Sequence, residues 1–161
     1  MQTSDELRFD DGEQTPERLK GQLSRLVGFT AAQTHRIAGE ALRAVGARKD
    51  HFVALAALSE FGPASQAALS GRTRIYKSDL VSVLNDLEDR GWVRRAPDPA
   101  DKRRNVITIT ADGERRLAEL DHVLDGVNEH IMAPLSRDER AQLFDLLGRI
   151  NAHLTTPPDH A

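Results

Sequence analysis

Between Leu80 and Thr110 the spacing of apolar residues changes from 3.6 to 2, and few folds accommodate such a switch. Leu80, Val83, Leu84 and Leu87 fall at i, i+3, i+4 and i+7 and form one apolar stripe on a helix. Gly91 follows the last stripe residue, where a helix favours a left-handed C-cap. Trp92 and Val93 then open a short strand, in which the Trp92 ring belongs to the apolar side. Pro97 and Pro99 cannot donate to a ladder and mark a loop. Asp98-Pro99-Ala100-Asp101 suits a type I turn. Val106 to Thr110 alternates and gives a return strand with Ile107 and Ile109 on one side. Upstream, Ser65 caps a short helix over Gln66 to Ser70. The sequence therefore predicts helix, tight turn, helix and hairpin from Ser65 to Thr110.

Charge is gathered on this stretch. The chain carries a net charge of −3 over 161 residues, which argues against indiscriminate coating of nucleic acid. Yet Arg72, Arg74 and Lys77 stand at the entrance of the second helix with no acid among them, and Arg94, Arg95, Lys102, Arg103 and Arg104 crowd the hairpin against Asp98 and Asp101. A hairpin needs no such cluster for stability, whereas one that reaches across a phosphate backbone does. Opposite the apolar stripe lie Ser78, Ser82 and Asn85, short hydrogen-bonding side chains able to approach base edges. The plainer alternative for that face is a solvated surface, and for the arginines a soluble loop. Tyr76 suits either a phosphate contact or packing of its ring on the preceding helix.

These residues resemble the MarR family of bacterial winged-helix regulators. The resemblance rests on Leu87-Glu88-Asp89-Arg90-Gly91 before the hairpin, Asp98 and Asp101-Lys102-Arg103-Arg104 within it, and Thr110-Ala111-Asp112-Gly113 after it. The helical pattern on either side extends the similarity over most of the chain. It implies a mainly α protein with a small β-wing, a winged helix-turn-helix DNA-binding lobe and N- and C-terminal dimerisation helices. It also implies that Asp101 holds the wing by pairing with an arginine while Arg103 or Arg104 probes the minor groove. Relatives often place a glycine just before the recognition helix, where this chain has Arg74, with Gly71 three positions earlier.

Composition sets the outer limits. With 39% hydrophobic and 29% charged residues the chain is globular, and it is long enough to bury a core. The absence of cysteine excludes disulfides, thiolate metal sites and a thiol-based sensor. No apolar run approaches a membrane span and the N-terminus is acidic, so a cytoplasmic protein is the default reading. Among His35, His51, His122, His130, His153 and His160 no pair stands at i, i+4, which gives no metal site and no cofactor. No nucleophile elbow, phosphate-cradling loop or dinucleotide fingerprint points to an enzyme.

In chain order, residues 1–14 and 155–161 read as tails. Residues 15–48 carry a helix that starts at Thr15-Pro16 and runs to about Arg43, 49–110 the DNA-binding lobe, and 111–154 the C-terminal helices. Asp50 is the expected cap of the helix HFVALAALSEF, and Gly62-Pro63 ends it. Thr110 caps a long helix broken at Ala133-Pro134, and Ser136 with Glu139 makes a capping box for the last one. The outer helices are too apolar to stand alone in water. A second copy of the chain is the economical partner, because a two-fold dimer spaces recognition helices roughly 34 Å apart, one DNA turn. The alternative is an intramolecular core. The family resemblance assigns the dimer contact to Leu143, Leu146, Leu147 and Ile150, with the Leu19 and Leu23 face opposite. It further implies a pseudo-palindromic double-stranded operator, repression more than activation, and a small phenolic or carboxylate effector near His35 and His51. The competing function is an architectural or partner-binding winged helix without sequence readout.

Overall fold

In the computed structural model, residues 8–10 and 14–156 are described, so His160 and most of the two expected tails lie outside them. The chain forms two compact units, one reaching to Leu124 and the other beginning at Asp125. The order of elements is α1 (Glu17–Lys20), α2 (Leu23–Ala44), α3 (Lys49–Phe61), β1 (Ala64–Ser65), α4 (Gln66–Thr73), α5 (Lys77–Asp89), β2 (Val93–Pro97), β3 (Asn105–Ile109), α6 (Ala111–Ile131) and α7 (Arg137–Thr155). The fold is mainly α with a three-stranded antiparallel sheet in the order β1-β3-β2.

The first helix departs from expectation. In place of one helix from Pro16 to Arg43, a single turn, α1, stops at Gly21, and Gln22 is extended before α2 begins. Glycine is the residue least able to carry a helix through such a point, because it has the most backbone freedom to lose. The start of α3 differs as well. Its cap is Arg48 in place of Asp50, and the Arg48 backbone N–H donates to Nδ1 of His51 at 3.3 Å.

Within the first unit the core joins Leu42, Leu55, Leu58, Leu69, Leu80, Leu84, Leu87, Ile107 and Leu120, all essentially without solvent exposure. The stripe of α5 is thus its buried face, and burial of each such leucine stabilises by about 2 kcal/mol. Leu117 and Leu120 carry the start of α6 into this same core. Ser65 accepts from the Ala68 N–H at 3.2 Å and starts α4, while Gly91 closes α5 at φ +73°. The hairpin register pairs Val93 with Ile109, Arg95 with Ile107 and Pro97 with Asn105. Ala64 and Ser65 add a third strand on the far side of β3, which two residues are too few to announce by periodicity.

Thr110 Oγ1 donates to Gly91 O at 2.6 Å and accepts from the Gly113 N–H at 3.0 Å, so one hydroxyl caps α6 and ties it to the end of α5. A Cβ on Gly113 would fall 2.1 Å from the Trp92 carbonyl oxygen, which explains a glycine inside a helix. In the second unit Ser136 and Glu139 exchange bonds at 2.7 and 3.3 Å as a capping box. Arg140 donates to the Met132 and Leu135 carbonyls and pairs with Glu129 at 2.7 Å. None of the residues of α7 is buried, and its Leu143, Phe144, Leu146, Leu147, Ile150 and Leu154 are 37–74% exposed.

Candidate nucleic-acid interface

Burying Leu80, Val83, Leu84 and Leu87 forces the other side of α5 outward. Tyr76, Lys77, Ser78, Ser82 and Asn85 are all exposed there. Among the described residues Ser78 makes only a 3.4 Å bond to the neighbouring Asp79. The turn before α5 is closed by Arg74 at φ +57°, ψ +18°, its N–H bonded to Ser70 O at 3.0 Å. This left-handed geometry favours glycine, and here an arginine carries it. Among the described residues Arg74, Lys77 and Lys102 pair with no carboxylate, and Arg72 lies only over the Phe61 ring, at 5.5 Å.

The wing tip is held by its acids. Asp98 Oδ1 accepts from the Ala100 N–H at 2.8 Å and Asp101 Oδ1 from the Arg103 N–H at 3.1 Å. The Asp101 carboxylate also lies 3.3 Å from Arg103 Nε and 3.6 Å from Arg104 Nε. Both guanidiniums nonetheless face water, at 92% and 72% exposure.

Two expected residues have other partners. Asn85 accepts through Oδ1 from the Arg95 guanidinium, and Arg95 pairs with Glu88 at 3.0 Å. Arg95 therefore braces β2 against α5 with its charge neutralised, and Asn85 keeps only its amide N–H groups for another partner. His35 is exposed on α2, whereas His51 is 1% exposed with both ring nitrogens engaged. Its Nε2 lies 2.7 Å from Asp86 Oδ2. Burial, reinforced by the Arg48 charge, holds the His51 pKa below the usual histidine value against the opposing pull of Asp86. Burial alone would raise Asp86, but Arg90, with His51 and Arg48, outweighs it and keeps that carboxyl below the usual range. A contact between positions 51 and 86 leaves no local pattern in the sequence.

A cleft of about 390 Å³ opens beside the turn, lined by Lys49, Asp50, Val53, Arg74, Tyr76 and Asp79 among others. Among the described residues no cluster of His, Asp or Glu is placed to hold a metal ion, and no helix is long and apolar enough to cross a membrane.

The arrangement, an apolar-anchored helix with a cationic entrance and a basic hairpin beside it, is that of a winged helix-turn-helix. The model of the MarR family matches residues 47–104. Transcriptional regulator HosA of Escherichia coli O111:H- is 33% identical over 102 residues, spanning 63% of this chain and 76% of HosA. The chain belongs to the MarR family. Its fold matches that of a mutant MarR from E. coli complexed with operator DNA, with a TM-score of 0.69 at 23% identity over 80% of this chain and 92% of that one. It equally matches Bordetella bronchiseptica BpsR, whose DNA binding is regulated by 6-hydroxynicotinic acid, with a TM-score of 0.72 at 23% identity over 85% and 98%.

Proposed function

We propose that this protein is a cytoplasmic homodimeric regulator that reads a pseudo-palindromic site in double-stranded DNA, acting as a repressor. The observation that carries this reading is the placement of carboxylate-free Arg74 and Lys77 at the entrance of α5, with Arg103 and Arg104 on a hairpin beside it. Ser78 and Ser82 meet the major groove, Arg72, Arg74, Tyr76, Lys77 and Lys102 meet phosphates, and one wing arginine enters the minor groove. Residues 49–110 supply this DNA-binding part, with 15–48 and 111–154 assigned to dimerisation. The bare face of α7 supports the second copy, since six large apolar side chains at helical spacing need a cover. Leu143, Leu146, Leu147 and Ile150 provide it, with Leu19 and Leu23.

A small phenolic or carboxylate ligand is proposed to release the DNA by favouring one conformation of the dimer. The response of BpsR to 6-hydroxynicotinic acid supports a ligand of that chemistry. His35 is free to meet it, whereas His51 would first have to give up Asp86 or the Arg48 N–H.

Arg103→Ala and Arg104→Ala test the DNA reading. Each is expected to weaken binding across sequences, and loss of a phosphate contact lowers the slope of log K against log salt by about 1. Affinities unchanged by both would remove it. One observation favours a second reading, a winged helix that binds without sequence readout: Asn85 is engaged by Arg95, leaving few free side chains on the groove face. Competition with unrelated duplex decides between them, since a sequence reader keeps a preference of roughly a thousandfold or more.

A further inference from the structure

One polar cluster in the lobe is not explained by contact with DNA. It lies on the flank of α5 that carries Asp86, one turn before Arg90. Asp86 Oδ2 is 2.7 Å from His51 Nε2 and 3.4 Å from Arg48 Nη2, and Oδ1 is 3.1 Å from Arg90 Nε. His51 Nδ1 accepts the Arg48 backbone N–H, while Nε2 faces the Asp86 carboxylate and is also approached by the Arg48 guanidinium at 3.2 Å. One nitrogen thus starts α3 and the other holds α5. Arg90 extends the tie to the connection before α3 by donating to Gly46 O at 3.1 Å. The His51 ring also meets Trp92 edge-on, with centroids 6.1 Å apart.

A buried imidazole and a partly exposed carboxylate are an expensive way to hold two helices that already share an apolar core, because the core costs no desolvation of charge. Apolar packing, however, is non-directional and leaves a helix some freedom to roll about its axis. At an outer radius of about 5–6 Å, each 10° of roll moves a side-chain tip by about 1 Å. Serines are short, so Ser78 and Ser82 tolerate little of that before a base-edge hydrogen bond is lost.

We propose that His51 and Asp86 are positioning residues for DNA reading, which fix the roll of α5 so that Ser78 and Ser82 meet the groove, without touching DNA themselves. This deepens the proposed function and rests on it. The sign of the effect separates positioning from simple charge. Asp86→Asn removes a negative charge beside a polyanion and by electrostatics alone strengthens binding to every duplex. Positioning gives the opposite result for the cognate sequence only.

The test uses the full-length chain and duplexes enriched by the wild-type protein from a random-sequence library, with a scrambled duplex of the same composition as control. Asp86→Asn and His51→Gln are compared, with helicity checked by circular dichroism. Glutamine at the third helical position retains an acceptor for the Arg48 N–H and so preserves the start of α3. Should one variant lose its fold, the other carries the comparison. Each is expected to lose about tenfold in affinity for the enriched duplex, with binding to the scrambled duplex unchanged or tighter and the salt slope unaltered. The double variant should lose no more than either single one, because both break the same tie. Equal changes on both duplexes, or strictly additive losses, overturn the positioning role and leave the regulator reading standing. Failure of the wild-type protein to enrich any sequence overturns both.

Discussion

Replacement of Arg74 separates stability from DNA affinity in one residue. Its backbone sits at φ +57°, the one non-glycine positive φ among the described residues. Holding a side-chain-bearing residue there costs roughly 1 kcal/mol, which glycine does not incur. Glycine also loses more freedom on folding, so the net gain for Arg74→Gly is about 0.5 kcal/mol. For a chain of this size that raises Tm by roughly 1–2 °C. The side chain is exposed and pairs with no described carboxylate, so its loss removes charge from the helix entrance without uncovering a partner. The slope of log K against log salt should fall by about 0.9 for each subunit bound, or about 1.8 for the dimer. Arg74→Ala keeps the strained backbone and loses the same charge, so it matches the glycine variant in DNA binding without the gain in stability. Differential scanning calorimetry and a salt titration of duplex binding give the two readouts. A glycine variant that melts lower than the alanine variant would refute the backbone argument. An unchanged salt slope would refute the phosphate contact.

Gly113→Ala drives a Cβ into the Trp92 carbonyl and should destabilise by about 1–3 kcal/mol or more, read as a lower urea midpoint with an unchanged m-value. Leu84→Ala, at a fully buried position of the α5 stripe, should cost about 2–5 kcal/mol; a loss below 1 kcal/mol would contradict the burial of that face. Leu147→Asp combined with Ile150→Asp puts charge on the exposed stripe of α7 and should give a folded monomer by sedimentation equilibrium, whereas an unchanged mass would move the dimer contact elsewhere. Because the His51 pKa lies below its unfolded value of about 6.5, the unfolded chain takes the proton first as pH falls. Its contribution is full above about 6.5, is lost as pH falls to the lowered value, and is level below it. Burial with Arg48, Asp86 and Arg90 sets this balance, and Trp92 packs edge-on against the ring. Urea midpoints of the wild-type chain should therefore slope downward between neutral and mildly acid pH, and His51→Gln should remove that part of the slope.

Much of the lobe, and the start of α7, is legible because the signals are local. The α5 stripe, Gly91, the Ser65 and Ser136 caps and the hairpin with its proline-marked loop each follow from residues within one or two turns of each other. What escaped the sequence is non-local or too short. Strand β1 has two residues and exists only because β3 passes beside it. The break at Gly21 interrupts an apolar pattern that continues on both sides. Arg95 reads as one more wing cation, yet Glu88 seven positions earlier neutralises it and Asn85 receives it. His51 reads as a structural or surface histidine with a ligand role implied only by the family resemblance, and its carboxylate partner lies 35 residues further along the chain, on α5.

Sequence reading by this protein requires two copies of the chain to present their α5 helices to one duplex. Selection of bound fragments from the source genome at moderate salt, with the mass of the complex measured on a recovered fragment, addresses this most directly. The account predicts an inverted repeat whose half-sites are centred about one helical turn apart, bound by two chains. Recovery of fragments with no shared sequence, or of a single half-site held by one chain, would contradict it.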